Sequence, residues 1–470
     1  PFLLPAVNLL LGKPDKTYEI SACSIVAMRN TLEVALVLDN SGSMNTVAPG
    51  TGKARIELLK AAATQLVDML GGEADGLKQL DKAVQIALVP FSQLVNVGPS
   101  HRPDKWIDSG GASPVHHDIF DWTSIQNGVL GPQKTVVFRN GAWYQEGTDW
   151  GNQNGTAMTR FDLFDRIQVP WNGCVEGRPY PYNVNDDPPV ANKPKTLFVP
   201  MFAVTTGTTP HPALYPGGKF KYVNRYIPTL VKEEPLPRWD MRFYFDRYFL
   251  FGHGGSPNYG CQAAAVTPLS DITRASGKAS ILKGISSMKA NFGTNVTEGM
   301  AWGWRVLSSG EPFTEGRPDE EHGNDKVVIV LTDGANLYGP ETPSAYGMVE
   351  APHPPGGIPR LFAGTTLDPN DLSDANTTAA MNQHFAQLCQ NAKAPRTSDD
   401  KRPNLTVMTV ALDLDSRVAV EKDQIKLLED CASNSRIDPK RKLFWNATGA
   451  TLGATFKDIA DELSNLRVVQ

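Results

Sequence analysis

The stretch VLDNSGSMNTVAPGTGKARIELL, from Val37 to Leu59, contains two candidate ion-binding loops within about a dozen residues. The first, Asp39 to Ser43, has the oxygen-rich composition of a metal site. The second, Pro49 to Lys53, resembles a loop that holds nucleotide phosphates. Both lie between an apolar run and a helical pattern, so the interpretation of the chain depends on which loop binds an ion.

The phosphate-loop interpretation fails at two positions. Such a loop has the pattern G-x-x-x-x-G-K-[ST], in which backbone amides surround the phosphates and the hydroxyl reaches magnesium. When Gly52 and Lys53 are aligned with that pattern, Val47 replaces the first glycine and Ala54 replaces the hydroxyl residue. We therefore interpret this segment as a flexible loop before a helix, and we expect mutation of Lys53 to leave the function intact.

The apolar patterns around these loops predict an α/β fold. Short apolar runs indicate buried strands at 33–38, 84–90, 326–332 and 405–412. Apolar residues at helical spacing indicate helices at 54–70, 298–307, 375–393, 421–431 and 452–466. Strands that alternate with helices imply a central, mostly parallel sheet with helices on both faces.

Residues 93–274 interrupt this alternation. The segment is rich in Pro, Gly, Asn and aromatic residues, and it contains six of the nine tryptophans: Trp106, Trp122, Trp143, Trp150, Trp171 and Trp239. Disordered linkers are poor in aromatic residues. We therefore expect a folded insertion of loops and short strands, with its ends near Gln93 and Arg274 close together because they leave and re-enter one sheet.

Length and charge set broad limits on the function. The chain has 470 residues, enough for two or three domains. A formal net charge of −5 argues against nucleic acid or an anionic membrane surface as the partner. The apolar run from Phe2 to Leu11 is too short, and too interrupted by proline, to span a bilayer. Since the sequence opens with Pro1, we interpret it as a processed or truncated piece whose targeting segment lies upstream.

The cysteines allow two interpretations. The chain has five, and none of them forms a CxxC pair: Cys23, Cys174, Cys261, Cys389 and Cys431. Their wide spacing argues against zinc or thioredoxin-like chemistry. It fits two disulfides and a spare cysteine in an oxidising compartment, and it fits equally well five buried thiols in a cytosolic protein.

Three segments place hydroxyl and carboxylate oxygens at one edge of the predicted sheet. Asp39, Ser41 and Ser43 directly follow a buried strand, where open α/β sheets bind ligands. Such a hard oxygen set suits Mg²⁺, or alternatively Ca²⁺ or Mn²⁺. Serine also caps helices, so this motif alone leaves capping as the alternative. Residues 293–297 begin another helix with a further hydroxyl, and Asp333 follows another buried strand. The three segments together favour the metal site.

These segments resemble a known family. LVLDNSGSM, GTNVT and VLTDG, in that order, look like the three loops of a von Willebrand factor A domain, a Rossmann-like α/β fold. The resemblance covers about residues 31–92 and 275–470. It implies a metal-ion-dependent adhesion site for a divalent cation, with Mg²⁺ as the first expectation. Thr294 fits the family spacing to the helix better than Thr297 does. The implied ligands are Asp39, Ser41, Ser43, Thr294 and Asp333.

A narrower resemblance extends into the insertion. WNGCVEGRPYPYNVND, TLFVPMF, NVTEGMAWGWRVLSSGEPFTEG and LLEDCASN are similar to TadG-type proteins of the Tad (tight adherence, Flp) pilus system. Members of that family carry a pilin-like, inner-membrane anchor helix at the amino terminus. Residues 1–30 would be the remainder of that region, so the anchor is implied and not seen. The resemblance implies an extracytoplasmic, pilus-associated location.

An extracytoplasmic location favours disulfides over free thiols. Because each pair lies within one proposed unit, we expect Cys174–Cys261 inside the insertion and Cys389–Cys431 near the carboxyl terminus. Cys23 would be left over.

Three further motifs receive structural interpretations. Neighbouring histidines without a spaced third ligand, such as His116 and His117, are expected at the surface. Asp413 and Asp415 follow a buried strand and are interpreted as solvated loop residues. A phosphatase that uses Asp39 as its nucleophile is disfavoured, because position 41 is Ser and not the Asp that would act as acid and base.

The expected function is that of a non-enzymatic assembly or adhesion component of a bacterial pilus. The cation would bind a carboxylate of a partner, which would be another minor pilin, the pilin filament, or a surface or host ligand with an acidic residue. Membrane attachment would come only through the missing helix. Two alternatives remain: a structural pilus-tip cap that binds no ligand, and a metal-dependent hydrolase.

Overall fold

The fold is built around the buried strand that ends in Asp39. The computed structural model describes residues 30–74, 81–118, 135–166, 169–203, 257–338, 344–347, 358–395 and 405–466. In these residues the strands are β1 (Thr31–Asp39), β2 (Val84–Phe91), β3 (Thr135–Arg139), β4 (Ala142–Glu146), β5 (Val175–Glu176), β6 (Val199–Pro200), β7 (Thr267–Asp271), β8 (Asn324–Thr332), β9 (Thr406–Leu412) and β10 (Phe444–Ala447). The α-helices are α1 (Arg55–Ala74), α2 (Arg160–Arg166), α3 (Ala275–Ser287), α4 (Val296–Arg305), α5 (Asp374–Ala392), α6 (Ala419–Cys431) and α7 (Leu452–Leu466).

Six strands form the central sheet in the order β10-β9-β8-β1-β2-β7. All neighbours are parallel except β7, which runs antiparallel to β2. The strand β1 is central, with Val37 opposite Val89 of β2 and Val330 of β8. Parallel strands that are covered on both faces consist of continuous apolar residues, because both sides of each strand are buried. These strands are therefore recognisable in the sequence. The prediction of a mostly parallel α/β sheet with flanking helices is confirmed.

Alternate residues of each strand enter two different cores. On one face, Val34, Leu36 and Leu38 pack with apolar side chains of α1, α3 and α7. On the other, Ala35 and Val37 pack with α4, α5, α6 and the segment that follows β2. Within the described ranges, no helix is both long enough and apolar enough to cross a membrane.

Helix α4 lies very close to the sheet because it presents glycines to it. A Cβ at Gly303 would lie 2.4 Å from Val37 Cγ2, and one at Gly299 would lie 2.6 Å from Phe91 Cδ1. The two glycines are four residues apart and therefore share one helix face. The tight packing allows α4 to start directly beside the carboxyl ends of β1 and β2.

The sheet extends into the range that the sequence assigns to an insertion. Strand β7 pairs antiparallel with β2, with Asp271 opposite Gln85. The expectation that Gln93 and Arg274 lie close together is therefore wrong, because β7 carries the chain back along β2 before Arg274. At about 3.3 Å per residue, the part of β2 from Gln85, opposite Asp271, to Phe91 is roughly 20 Å long, and Gln93 lies beyond its end.

Tryptophans of the segment 93–274 pack into the core beneath the sheet. Trp106, Trp150 and Trp171 are buried, and they belong to the same apolar cluster as Trp302 of α4. Trp143 is partly buried against that cluster, while Trp122 and Trp239 lie outside the described residues. The described part of this segment thus shares its core with the sheet.

Both predicted disulfides are present. Cys174 is bonded to Cys261, and Cys389 of α5 is bonded to Cys431 at the end of α6. The interpretation of these four cysteines as free thiols is thereby excluded. Cys23 lies outside the described residues, as do residues 1–29 of the expected pilin-like region.

Candidate metal centre

Asp39 is the last residue of β1, and its carboxylate is fully buried. Its Oδ1 accepts a 2.6 Å hydrogen bond from the Ser41 amide. Its Oδ2 accepts a 2.6 Å hydrogen bond from the Thr332 hydroxyl at the end of β8. Because β1 and β8 are parallel neighbours, their carboxyl ends meet and fix the Asp39 side chain between them.

Two serine hydroxyls connect this strand end to a second carboxylate. Ser41 Oγ lies 2.9 Å from Ser43 Oγ, and the Ser43 hydroxyl donates a 2.6 Å hydrogen bond to Asp333 Oδ1. Ser41 immediately precedes the short 3₁₀ turn Gly42–Asn45, and Ser43 lies within it. A Cβ at Gly42 would lie 3.2 Å from the Phe292 carbonyl oxygen, so a glycine permits this close approach of two loops.

Thr294 lies beside this group without a direct hydrogen bond to it among the described contacts. A Cβ at Gly334 would lie 3.5 Å from Thr294 Oγ1 and 3.8 Å from Ser43 Oγ, so both hydroxyls approach the same backbone position. The Thr297 hydroxyl instead donates to the Met381 carbonyl in the core. Of the two threonines, Thr294 is therefore the one at the site.

The two carboxylates destabilise each other's charge. Burial and the nearby Asp333 raise the pKa of Asp39 to about 7. Burial also raises the pKa of Asp333, although hydrogen bonds from Ser43 and Arg55 oppose the shift. A cation between two such carboxylates would remove the repulsion and favour their ionised forms.

Arg55 is a neighbour of the site that sequence reasoning missed. Its Nη1 donates a 2.9 Å hydrogen bond to Asp333 Oδ2, and its Nε donates a 3.0 Å bond to Asp413 Oδ2. Since Asp333 Oδ1 accepts from Ser43, Arg55 fixes the orientation of that carboxylate. A signal was available in the sequence: Arg55 is the first residue of the first α-helix after the metal-like loop.

Asp413 is not the solvated loop residue that the sequence suggested. Its side chain is 5% exposed, because it pairs with Arg55 and accepts a 2.9 Å hydrogen bond from the Gly449 amide. Asp413 has a φ of 53°, in the left-handed region that Asp and Asn tolerate better than most residues. Asp415 is more exposed and pairs with the surface residue Arg417, in agreement with its interpretation.

The donor set fits a divalent cation by type and by spacing. Ligands in octahedral positions about 2.1 Å from Mg²⁺ lie roughly 3 Å apart. The distances of 2.9 Å between the Ser41 and Ser43 hydroxyls and 2.6 Å between Ser43 and Asp333 are close to that value. Next to Asp39, both polar side-chain atoms of Asn40 are buried without a hydrogen-bond partner among the described residues. In the described part of the chain, no three His, Cys, Asp or Glu side chains are grouped as metal ligands, so the hydroxyls are essential to this donor set.

The other two motifs are structural. In the former phosphate-loop candidate, Val47 and Ala54 form an antiparallel bridge, and the Ala48 amide donates to the Lys53 carbonyl. His116 and His117 are buried, contrary to expectation. Each uses Nε2 to donate to a backbone carbonyl, and burial lowers both pKa values, so the rings are neutral hydrogen-bonding residues of the core.

Three solved structures that are similar to this chain are pilus proteins. The von Willebrand factor domain of the type V pilus tip protein Mfa5 from Porphyromonas gingivalis is 11% identical, with a TM-score of 0.35 over 94% of this chain and 98% of that one. The adhesive tip pilin GBS104 from Group B Streptococcus agalactiae is 10% identical, with a TM-score of 0.35 over 93% and 98%. The pilus adhesin SpaC from Lactobacillus rhamnosus GG, in its open conformation, is 11% identical, with a TM-score of 0.36 over 93% of this chain. This chain spans 30% of the SpaC chain. No family model and no curated protein matches the sequence.

Proposed function

We propose that this protein is a non-enzymatic pilus component that binds an acidic partner through a divalent cation at the carboxyl edge of its sheet. The observation that carries this proposal is the convergence of Ser41, Ser43 and Asp333 through hydrogen bonds of 2.9 and 2.6 Å, next to the buried carboxylate of Asp39. Residues 290 or more positions apart in the chain meet there, as they would if they shared one ion.

Each residue of the site has a distinct role in this proposal. Ser41 and Ser43 would supply neutral oxygen ligands, and Thr294 would complete the set from its own loop. Asp39 and Asp333 would act directly or through water. When bound, the cation supplies positive charge that attracts a carboxylate. Two carboxylate ligands match but do not exceed the charge of a divalent ion, which leaves it able to accept a carboxylate from a partner.

The assignment to a pilus rests on the sequence resemblance to TadG-type proteins. Two disulfides support an oxidising, extracytoplasmic location for the folded chain. Other Tad minor pilins or the pilin filament are the first partners to test, and a surface ligand with an acidic residue is the second. Locating the protein on purified pili tests this part of the proposal, and its absence from them would contradict it.

The metal site is tested by calorimetric titration of Mg²⁺ into the chelator-treated protein. We expect one ion to bind to the wild type and no detectable binding to Asp39→Ala, because that change removes a charged ligand. Circular dichroism should show an intact fold, since the carboxylate lies at the edge of the sheet and outside both apolar cores.

A matched control comes from the same edge of the sheet. Asp415→Ala removes an exposed carboxylate whose partner in the described part of the chain is the surface residue Arg417, so it should bind Mg²⁺ like the wild type. Equal affinity in wild type and Asp39→Ala would contradict the metal site and, with it, the proposed binding function. If the wild type is found in filaments and the Asp39→Ala variant is not, the site has a role in pilus assembly.

A further inference from the structure

Two large apolar side chains are exposed on the loops that carry the candidate metal centre. Val47 follows the turn of Ser43 and is 58% exposed, and Leu337 follows Asp333 and is 55% exposed. Single exposed apolar residues are normal on protein surfaces, but several of them around one candidate site can mark a binding surface.

Backbone hydrogen bonds hold the chain at both residues close to the proposed ligands. The Leu337 amide donates a 2.9 Å hydrogen bond to the Thr294 carbonyl. The Thr46 amide, next to Val47, donates a 2.9 Å hydrogen bond to the Ser43 carbonyl. Val47 and Leu337 are therefore exposed residues of the loops around the site, and these loops are called its rim below.

An aromatic pair forms another part of the rim. The Phe292 carbonyl accepts a 2.7 Å hydrogen bond from the Gly42 amide, so Phe292 lies against the turn that holds the two serines. Its ring packs edge-to-face on Tyr259, with centroids 4.9 Å apart, and both residues are partly exposed. Phe292 has a φ of 62°, an unfavourable conformation for a bulky residue, and such strain is concentrated at functional sites.

The loops around the site carry a positive charge and no acidic residue. Residues 40–52, 289–297 and 334–338 contain no Asp or Glu, and the charged residue among them is the exposed Lys289. Lys289 is placed beside the site because the carbonyl of the next residue, Ala290, accepts a hydrogen bond from Asn45. The rim therefore complements an acidic partner that also has apolar groups.

From this rim we infer the class of ligand: a polypeptide segment that presents an Asp or Glu side chain between apolar side chains. The inference rests on the proposed function, since the cation binds the carboxylate. The flanking apolar residues would cover Val47, Leu337 and the Phe292–Tyr259 pair. A small organic acid would leave these side chains in water, so it would gain only the contribution of the ion.

Fluorescein-labelled peptides test the inference on the whole disulfide-bonded chain. The probes are Gly-Gly-Ile-Asp-Leu-Gly-Gly, its analogue with Gly in place of Ile and Leu, and its analogue with Asn in place of Asp. Binding is measured by fluorescence anisotropy in saturating Mg²⁺ and again with chelator. We expect the Ile-Asp-Leu peptide to bind at least tenfold more tightly than the Gly-Asp-Gly peptide, since one buried apolar side chain contributes about this factor. The Asn analogue and the chelated samples should show no binding.

Variants of the rim identify the surface that provides the preference. Leu337→Ser and Phe292→Asn should each reduce the tenfold preference to about two- to threefold, and Asn tolerates the left-handed backbone of Phe292. Ile437→Ser is the matched control. Ile437 is 63% exposed, and its neighbour Arg436 pairs with Asp325 at the opposite edge of the sheet. This variant should keep the full preference.

Calorimetry of Mg²⁺ binding distinguishes failure of the inferred ligand class from failure of the metal site. If Mg²⁺ binds and the two acidic peptides have equal affinity, or neither binds, the inferred ligand class is wrong and the metal site stands. If the protein prefers the Ile-Asp-Leu peptide and both Leu337→Ser and Phe292→Asn keep that preference, these rim residues do not bind the apolar groups of the ligand. If Mg²⁺ does not bind at all, the proposed function fails, and the inference fails with it.

Discussion

At the scale of single residues, the burial of Asp39 connects the site to pH. Its carboxylate is removed from water and lies near Asp333, and its pKa is raised to about 7. A raised pKa in the folded state means that the contribution of this group to stability is complete below the ordinary pKa near 4 and is lost as the pH rises through 7. The metal-free protein therefore retains a buried, poorly compensated charge at pH 8.

We predict that Mg²⁺ stabilises the protein much more at pH 8 than at pH 5.5. At pH 5.5 the ion must displace a proton from Asp39, so its affinity should fall by about 30-fold, or tenfold per pH unit below 7. Without metal, the free energy of unfolding should be about 2 kcal/mol lower at pH 8 than at pH 5.5 from this group alone. Thermal melts with Mg²⁺ and with chelator at both pH values measure the two effects.

Asp39→Asn is the control for that prediction. It keeps the shape of the side chain but cannot ionise, so the chelated protein should lose the pH dependence that comes from this position. A metal-induced shift in Tm that is equal at pH 5.5 and pH 8 in the wild type would contradict the assignment of the titrating ligand.

The residues that sequence reasoning missed at the site are those whose role depends on distant partners. Asp413 was indistinguishable from a loop residue because its partner, Arg55, lies 358 positions away in the chain. The buried pair His116 and His117 was likewise placed at the surface, since the carbonyls that accept their hydrogen bonds are not visible in a side-chain pattern. The five proposed ligands came from the resemblance to a von Willebrand factor A domain, whose three loops lie at strand ends and before a helix.

At the scale of secondary-structure elements, the glycines of α4 decide how closely that helix approaches the sheet. Gly303 has no space for a Cβ, which would lie 2.4 Å from Val37 Cγ2 and 3.2 Å from Val328 Cγ1. By contrast, Gly72 near the end of α1 has nothing within 4 Å of its Cβ position. The same substitution should therefore have opposite effects in the two helices.

We predict that Gly303→Ala destabilises the protein by about 2 kcal/mol, because overpacking the core outweighs the gain of about 1 kcal/mol in helix propensity. Gly72→Ala should stabilise it by about 0.5–1 kcal/mol, since only the propensity changes. Urea unfolding of both variants measures the difference. Stabilisation by both substitutions would mean that α4 is free to move away from the sheet.

The length and continuity of each apolar pattern decided which elements of the fold could be predicted from the sequence. The four central strands and five of the helices were predicted to within a few residues, because their apolar patterns are continuous and long. Strand β7 (TPLSD) was missed because it is short and contains Pro268, as an edge strand can. Strand β10, with only four residues, and the glycine-containing helix α3 also lack a distinct pattern.

At the scale of the whole molecule, the two disulfides cross-link distant parts of the chain. Cys174–Cys261 spans 87 positions and closes the segment between β2 and β7. Cys389–Cys431 spans 42 positions and joins α5 to α6 on one face of the sheet. Each bridge restricts the unfolded chain most strongly over the loop that it closes.

We predict that Cys174→Ser/Cys261→Ser lowers the free energy of unfolding by about 4–5 kcal/mol, and that Cys389→Ser/Cys431→Ser lowers it by about 4 kcal/mol, in the loop-entropy model. Urea denaturation of the two double variants under oxidising conditions checks both values. Losses below about 1 kcal/mol in both variants would show that the unfolded chain is already restricted by other means.

The central position of β1 has a mechanical consequence. The strand begins with Thr31 at the amino-terminal end of the parallel strands and ends with Asp39 at their carboxyl-terminal end. It has parallel partners on both sides along nearly its whole length. A pull between the Thr31 end and a ligand held near Asp39 would run along the strand axis. The hydrogen bonds to β2 and β8 would then be loaded together in shear, whereas a pull across the sheet would unzip them one after another. The sheet should therefore resist a higher force along β1 than across it. Single-molecule pulling in the two directions would measure the difference in unfolding force.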